Sequence, residues 1–279
     1  MRVGFQGEHG AFSQEAAIEL LGNDIELIPC RTFEILFDAI EEGKADSILA
    51  PVENTLAGTV HRCYELLAES NLHVTGEVII PIRHQLIGCT GSSLETIRVV
   101  ESHPVALAQC QEFFFANKHL ERIATDDTAA SIRRVVESED ETKAAIGSKR
   151  AAEIYGGVIL KENIESHKEN YTRFFLLSKN EQTRNDADKV SLVLRLSHAP
   201  GALYHALKPF AERGINLLKL ESCPIRGTPW EYRFYLDFQI TQGDAEVEAA
   251  LNEIKKMTTE LKILGCYKSA NKKAAGRGI

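Results

Sequence analysis

No uninterrupted apolar run approaches the ~20 residues a bilayer crossing needs, so no membrane partner is expected. The first residues, Met1-Arg2-Val3-Gly4-Phe5, turn polar at once and contain no signal-peptide core, which leads to the expectation of a cytoplasmic protein. Cysteine is sparse: Cys30, Cys63, Cys89, Cys110, Cys223 and Cys266 form no CxxC pair and no Cys/His cluster with ligand spacing. Reduced thiols and no metal follow as expectations. Positive charge is in deficit, 32 Lys+Arg against 40 Asp+Glu for a net charge of −8, which argues against nucleic acid as the main partner. The one basic cluster, with Lys268, Lys272, Lys273 and Arg277, reads as a solvated tail over 269–279. There is no G-x-G-x-x-G: Gly4, Gly7 and Gly10 are spaced by two residues, and the next strand ends in Pro29-Cys30 without an acidic ribose ligand. There is no G-x-S-x-G elbow, and Ser102 beside His103 does not make a hydrolase triad, because adjacent residues rarely meet with the needed geometry.

What is present is ordinary globular composition, 44% hydrophobic and 26% charged, in 279 residues, enough for roughly two domains. The first part alternates strand and helix. Arg2–Phe5 is a short strand, and Ser13 is placed to cap a helix through Leu21 that Gly22 stops. Ile25–Ile28 is the next strand. Thr32 caps a helix whose Phe33, Leu36, Phe37 and Ile40 follow the i, i+3, i+4, i+7 rule, and Ser47–Ala50 is a third strand. A second unit has strands at Val78–Ile80, Gln85–Gly88, Ile97–Val100, Arg122–Ala124 and Ala144–Ile146. Its helices run to Phe115 and start at Asp127-Thr128 and after Gly147-Ser148. Such alternation predicts mostly parallel sheets covered by helices, arranged as two α/β lobes with a cleft between them. The expected boundaries are 1–180 for this region, with lobe 1 about 1–77 plus 172–180 and lobe 2 about 78–171. Residues 181–189 are polar and aperiodic and read as a linker. Over 190–268 the order becomes βαββαβ, the ferredoxin-like plan.

Ligands in open α/β sheets bind beyond the carboxyl ends of strands. Four places there carry polar side chains. Gly7–Ser13 joins a strand to a helix, and its glycines either bring backbone N–H groups to an anion or make an ordinary tight turn. Asn54 and Thr55 after the third strand either hydrogen-bond a ligand or cap the helix through His61 and Leu67. Ser102 is a natural N-cap. Gln109 lies two helical turns on and faces the same way, and a pair of neutral donors suits a carboxylate. Asn170-Tyr171-Thr172-Arg173-Phe174 precedes the apolar run Phe175-Leu176-Leu177. In an extended segment Asn170 and Thr172 share a face and Arg173 points away. Asn170 either meets a ligand or shapes the turn that presents Thr172.

These motifs resemble those of the prephenate dehydratases. Tyr171-Thr172-Arg173-Phe174 is similar to their T-R-F signature, and Pro51-x-Glu53-Asn54-Thr55 to their P-x-E-N segment. Ser102-His103-Pro104-x-Ala106-x-x-Gln109-Cys110 and Gly7-x-x-Gly10-x-Phe12-Ser13 resemble two further stretches. Gly201-Ala202-Leu203 and Glu221-Ser222-x-Pro224 resemble the two phenylalanine-binding motifs of the family's ACT domain, with Tyr204 and Cys223 where Val and Arg are usual. The resemblance implies a two-lobed, periplasmic-binding-protein-like catalytic domain and a ferredoxin-like ACT regulatory domain. It implies conversion of prephenate to phenylpyruvate with no metal or organic cofactor. By the same resemblance Thr172 is the donor to the leaving hydroxide, and Glu53 is a catalytic carboxyl acting as acid, orienting group or anchor. Ser13, Asn54, Thr55, Ser102, Gln109, Asn170 and Arg173 surround the substrate, with Arg173 and helix N-termini supplying positive potential. L-phenylalanine is the implied effector, bound by Gly201, Ala202, Leu203, Asn216, Leu217, Glu221 and Ser222 at an interface between subunits of a homodimer or homotetramer. Arogenate dehydration is the nearest alternative, and a non-catalytic two-lobed amino-acid-binding sensor a further one.

Overall fold

The computed structural model describes residues 1–181, 185–240 and 245–270; the tail beyond Ala270 and the centre of the expected linker lie outside the described residues. The chain opens with β1 (Arg2–Gln6), α1 (Phe12–Leu21), β2 (Glu26–Cys30), α2 (Phe33–Glu41), β3 (Ser47–Asn54), β4 (Gly58–Thr59), α3 (His61–Glu69) and β5 (His73–Pro81). It continues with β6 (Gln85–Gly88), β7 (Val99–Ser102), α4 (Pro104–Gln109), α5 (Gln111–Ala116), β8 (Glu121–Ala124), α6 (Thr128–Ser138), β9 (Lys143–Gly147), α7 (Lys149–Tyr155), β10 (Val158–Lys161) and β11 (Tyr171–Ser178). The last part is β12 (Lys189–Leu196), α8 (Ala202–Glu212), β13 (Leu217–Pro224), β14 (Tyr232–Gln239), α9 (Ala245–Lys255) and β15 (Thr258–Tyr267).

Local capping chemistry explains several helix starts. Thr32, Asp127 and Ser148 each accept a hydrogen bond from the backbone N–H three residues on, at Ile35, Ala130 and Ala151. Ser13 does not cap α1: the helix begins one residue earlier, with Ala11 at its boundary and Ser13 buried in the first turn. The helix expected through Phe115 is broken at Cys110 into α4 and α5.

Strands order as β2-β1-β3-β11-β5 in one sheet, with β4 paired to β3, and as β10-β6-β9-β7-β8 in a second. β1 runs parallel to β2 and β3, and β7 parallel to β8 and β9. β6, however, is antiparallel to β9 and β10. β10 escaped sequence reading because it is four residues long and largely solvent-facing.

Packing divides the described chain into two compact units. One contains Met1–Val60 and Val78–Phe174; the other contains His61–Glu77 and Phe175–Ala270. In the second unit, β13-β14-β12-β15 form an antiparallel sheet in the ferredoxin-like order. Alternate residues Val190, Leu192 and Leu194, with Leu236 and Phe238, pack one face against Phe210 of α8 and Val247 and Ile254 of α9. Among the described residues of 190–268, no helix covers the other face. There α3 supplies the cover: Tyr64 stacks on Tyr235 at 4.7 Å, and the Tyr235 hydroxyl donates to the Tyr64 carbonyl at 3.0 Å. Lys262 donates to the carbonyls of Leu67 and Ala68 near the carboxyl end of α3, where a cation is favoured. Lys189 donates to both carboxylate oxygens of Glu77 at 3.0 Å, and both residues are buried. The packing therefore assigns α3 and the first half of β5 to the same body as 190–268, rather than to an isolated first lobe. Among the described residues no helix is long and apolar enough to cross a membrane.

Candidate active site

The first unit contains a cavity of about 410 Å³, within the range of small-molecule sites. Phe12 and Ser13 from α1, Asn54 at the end of β3, Gln109 at the end of α4, Thr128 in α6, and Thr172 and Phe174 of β11 all line it.

Its centre is a closed ring of three carboxamides. Asn54 Nδ2 donates to Asn170 Oδ1 at 2.8 Å, Asn170 Nδ2 to Gln109 Oε1 at 2.9 Å, and Gln109 Nε2 to Asn54 Oδ1 at 3.2 Å. Asn54 Nδ2 also reaches Thr172 Oγ1 at 2.9 Å and the Tyr171 carbonyl at 3.1 Å. Asn54 Oδ1 accepts from the backbone N–H groups of Leu56 and Ala57. Those two bonds set the sense of the amide, because only the oxygen can accept them. The Thr172 oxygen is thus an acceptor toward Asn54, and its own O–H remains available as a donor at the cavity wall.

Asn170 and Thr172 share a face, as the period of an extended segment requires, and Asn54 bonds to both. Asn170 is fully buried and holds the ring together without lining the cavity. Asn54 turns the β3–β4 hairpin rather than capping α3, which starts seven residues later.

Other expectations change. Arg173 NH1 lies 3.7 Å from Glu53 Oε2, and neither side chain lines the cavity. Alternation along β11 turns Arg173 away from the Thr172 face and toward Glu53. Glu53 is likewise placed as its partner, not as a group in the cavity. No Arg or Lys is among the lining residues. Thr55 Oγ1 donates to the Glu169 carbonyl and accepts from Tyr171 N–H, so it ties the hairpin to the start of β11 instead of facing a ligand. Ser102 neither caps α4 nor joins Gln109. His103 caps, and the fully buried Ser102 hydroxyl donates to the Ile146 carbonyl at 2.7 Å. Gly7 and Gly10 have φ of +106° and +89°, conformations that favour glycine. Their N–H groups go to the Cys30 carbonyl and to Gln14 Oε1, so neither cradles an anion. A Cβ on Gly10 would stand 2.6 Å from the Ala151 Cα, so this glycine serves the approach of α7.

Sequence reading missed His84. It precedes β6, lines the cavity and places Nε2 2.8 Å from Gln109 Oε1. Burial holds its imidazole below the ordinary range, against the raising effects of the Gln109 hydrogen bond and the Glu165 charge. The only sequence signal was its place just ahead of a short, fully buried strand. Among the described residues, no three His, Cys, Asp or Glu side chains are grouped to hold a metal ion.

In the second unit, Ala202 and Leu203 line a cavity of about 400 Å³ with Arg195, Trp230, Glu231 and Phe234. Gly201 is the left-handed residue that opens α8. Asn216, Leu217, Glu221 and Ser222 do not line that cavity, so one chain does not bring the seven expected effector contacts together. Cys223 is buried 3.0 Å from His61 Nδ1, and burial pushes its thiol up to about 11. Tyr204 is exposed.

Comparison with known proteins places these features. A family model described as prephenate dehydratase matches residues 3–182, and an ACT domain model matches 190–256. The chloroplastic arogenate dehydratase/prephenate dehydratase 2 of Arabidopsis thaliana is 38% identical, over 96% of this chain and 72% of its own. The solved prephenate dehydratase of Arthrobacter aurescens, in complex with L-Phe, is 29% identical with a TM-score of 0.88, over 96% of this chain and 90% of its own. A solved protein described as a quorum-quenching acylase, GqqA, is 31% identical with a TM-score of 0.87, over 96% and 98% of the two chains.

Proposed function

Because the chain belongs to the prephenate dehydratase family and carries an ACT domain, we propose that it converts prephenate to phenylpyruvate under feedback by L-phenylalanine. The observation that carries the mechanism is the place of the Thr172 hydroxyl, which lines the cavity and accepts from Asn54, so that its own proton is available as a donor there.

In this reaction the electron pair of the ring C–CO₂⁻ bond moves into the ring, and the opposite C–O bond breaks. Carbon dioxide and hydroxide leave, and the ring becomes aromatic. Hydroxide departs poorly unless it is strongly hydrogen-bonded as charge develops on it. A threonine hydroxyl is too weak an acid to ionise, so Thr172 acts as a held donor. Asn54 adds polarisation, because accepting one hydrogen bond strengthens the O–H as a donor. With no Arg or Lys lining the cavity, neutral donors and the amino end of α1 hold the two carboxylates. Ser13 and Thr128 are the side chains placed for this. Arg173 and Glu53 act as a support pair behind β3 and β11, not as catalytic groups.

Feedback fits an effector site completed by a second copy. Gly201–Leu203 of one chain would face Asn216, Leu217, Glu221 and Ser222 of another. Self-association as a dimer or tetramer and a cytoplasmic setting belong to the same reading.

The test gives purified protein prephenate and arogenate separately, with and without L-phenylalanine, and follows phenylpyruvate by absorbance and phenylalanine by chromatography. Thr172→Ala is expected to lower kcat by about a hundredfold or more, the scale of losing one transition-state donor, while phenylalanine binding persists. Turnover within about threefold of the unchanged protein would refute the assignment.

A further inference from the structure

We propose that His84 is a positioning residue for this reaction: it fixes the amide of Gln109 and so closes the carboxamide ring that holds the Asn54 amide against Thr172. The inference rests on the reading of Thr172 as the leaving-group donor.

The ring formed by Asn54, Asn170 and Gln109 has two possible senses, since each amide can be turned by exchanging its oxygen and nitrogen. In the observed sense Asn54 presents N–H to Thr172. In the reversed sense Asn54 would present its oxygen, and Thr172 would donate its proton there and cease to be a donor at the cavity wall. The whole catalytic geometry therefore depends on what selects the sense.

Two groups outside the ring do so. At the Asn54 corner, the Leu56 and Ala57 backbone amides require an oxygen. At the Gln109 corner the outside partner is His84 Nε2, at 2.8 Å from Gln109 Oε1. With Gln109 Nε2 committed to Asn54, that Oε1 is an acceptor, and Asn170 Nδ2 already donates to it. His84 must then donate, which makes it the Nε2–H tautomer. The other ring nitrogen fits this: Nδ1 is buried and has no hydrogen-bond partner, as suits an atom without a proton. Were the tautomer exchanged, Nε2 would become an acceptor and favour a turned Gln109, which would set nitrogen against the Asn170 nitrogen and oxygen against the Asn54 oxygen and open the ring.

The imidazole is held for the task. Its residue is 2% exposed, its backbone N–H donates to Glu165 Oε2 at 2.9 Å, and its carbonyl accepts from Ile164 N–H. Phe12 packs edge-on against the ring at 5.6 Å between centroids. Arg83, beside it, reaches Glu165 at 3.5 Å and steadies the same anchor.

Steady-state kinetics on the full chain test this with His84→Leu, His84→Gln, His84→Asn, Gln109→Leu and the His84→Leu/Gln109→Leu double variant. His84→Leu is expected to lower kcat about tenfold to a hundredfold, the range seen when groups orienting metal ligands are lost, with KM little changed. A glutamine nitrogen takes up the place of Nε2, whereas an asparagine amide falls short of it. His84→Gln is thus expected to recover most of the loss and His84→Asn little of it. This pair carries the same comparison should the leucine variant not fold. In the Gln109→Leu background, His84→Leu is expected to change kcat no further, because its effect passes through Gln109. The inference is overturned by near-normal kcat in His84→Leu, by equal recovery with Gln and Asn, or by an undiminished effect in the Gln109→Leu background. Thr172→Ala separates the two readings. If it retains turnover, both the reaction mechanism and this inference fall. If it is inactive while His84→Leu is near normal, only this inference falls.

Discussion

Asn54→Asp is nearly isosteric, yet it reverses the hydrogen-bonding sense at the centre of the site. The Asn54 nitrogen meets three acceptors, at 2.8 Å on Asn170, 2.9 Å on Thr172 and 3.1 Å on Tyr171. A carboxylate there would set oxygen against oxygen at each contact. Thr172 could relieve its contact only by turning its proton back toward the new carboxylate and away from the cavity. Losing that directed donor corresponds to about 3–4 kcal/mol of transition-state stabilisation, or a fall in kcat of about 10²–10³. Folding stability would drop as well, by about 1–3 kcal/mol for each buried group left unsatisfied. The three facing acceptors would raise the pKa of the introduced carboxyl against the lowering effect of the three N–H groups on its other oxygen. As pH falls through that raised value, the protonated acid regains one O–H donor. Turnover of Asn54→Asp is therefore expected to rise toward acid, measured as kcat against pH with prephenate, while Asn54→Ala shows a comparable loss and no such rise. A loss smaller than about tenfold near neutral pH, or a flat acid limb in Asn54→Asp, would refute the directional role of this amide.

Two further expectations concern stability. Glu77→Gln removes the carboxylate charge to which the buried Lys189 ammonium donates, and denaturant unfolding of this unit should show a loss of about 3 kcal/mol; a change under about 1 kcal/mol would show that the pair does not hold this unit together. His84, held below its ordinary range, takes up its proton more readily in the unfolded chain. Its contribution is complete above about pH 6.5 and is lost as pH falls through the folded-state value, at no more than about 1.4 kcal/mol per pH unit. His84→Gln should flatten that acid slope in denaturation series, with a residual slope from His103, which burial also lowers; an unaltered slope would show that His84 is not the group responsible.

Much of the architecture was legible because its signals are local. Thr32, Asp127 and Ser148 announce helices through bonds that span three residues, and the alternation in β12 and β14 reports two buried faces directly. The failures lie where packing overrides a local preference. Ser102 has the chemistry of a cap, but full burial against β9 gives its hydroxyl a carbonyl partner instead. Arg173 has the charge to bind a dianion, but strand alternation turns it toward Glu53. α3 reads as part of the first lobe, yet the uncovered face of the β12–β15 sheet takes it as its cover.

By itself the sequence determined the kinds of element, their order, the ferredoxin-like second part, and the small set of residue types from which the site is made. It also determined that Thr172 and Asn170 share one face, since that follows from the two-residue period of an extended chain. Only the tertiary structure decided what those side chains do to one another. The carboxamide ring joins positions separated by 55, 61 and 116 residues, and His84 enters it from a fourth segment. A hydrogen bond has a donor end and an acceptor end. Which end faces Thr172 is set by backbone amides and a buried imidazole that the folded chain brings within 3 Å or so of the ring.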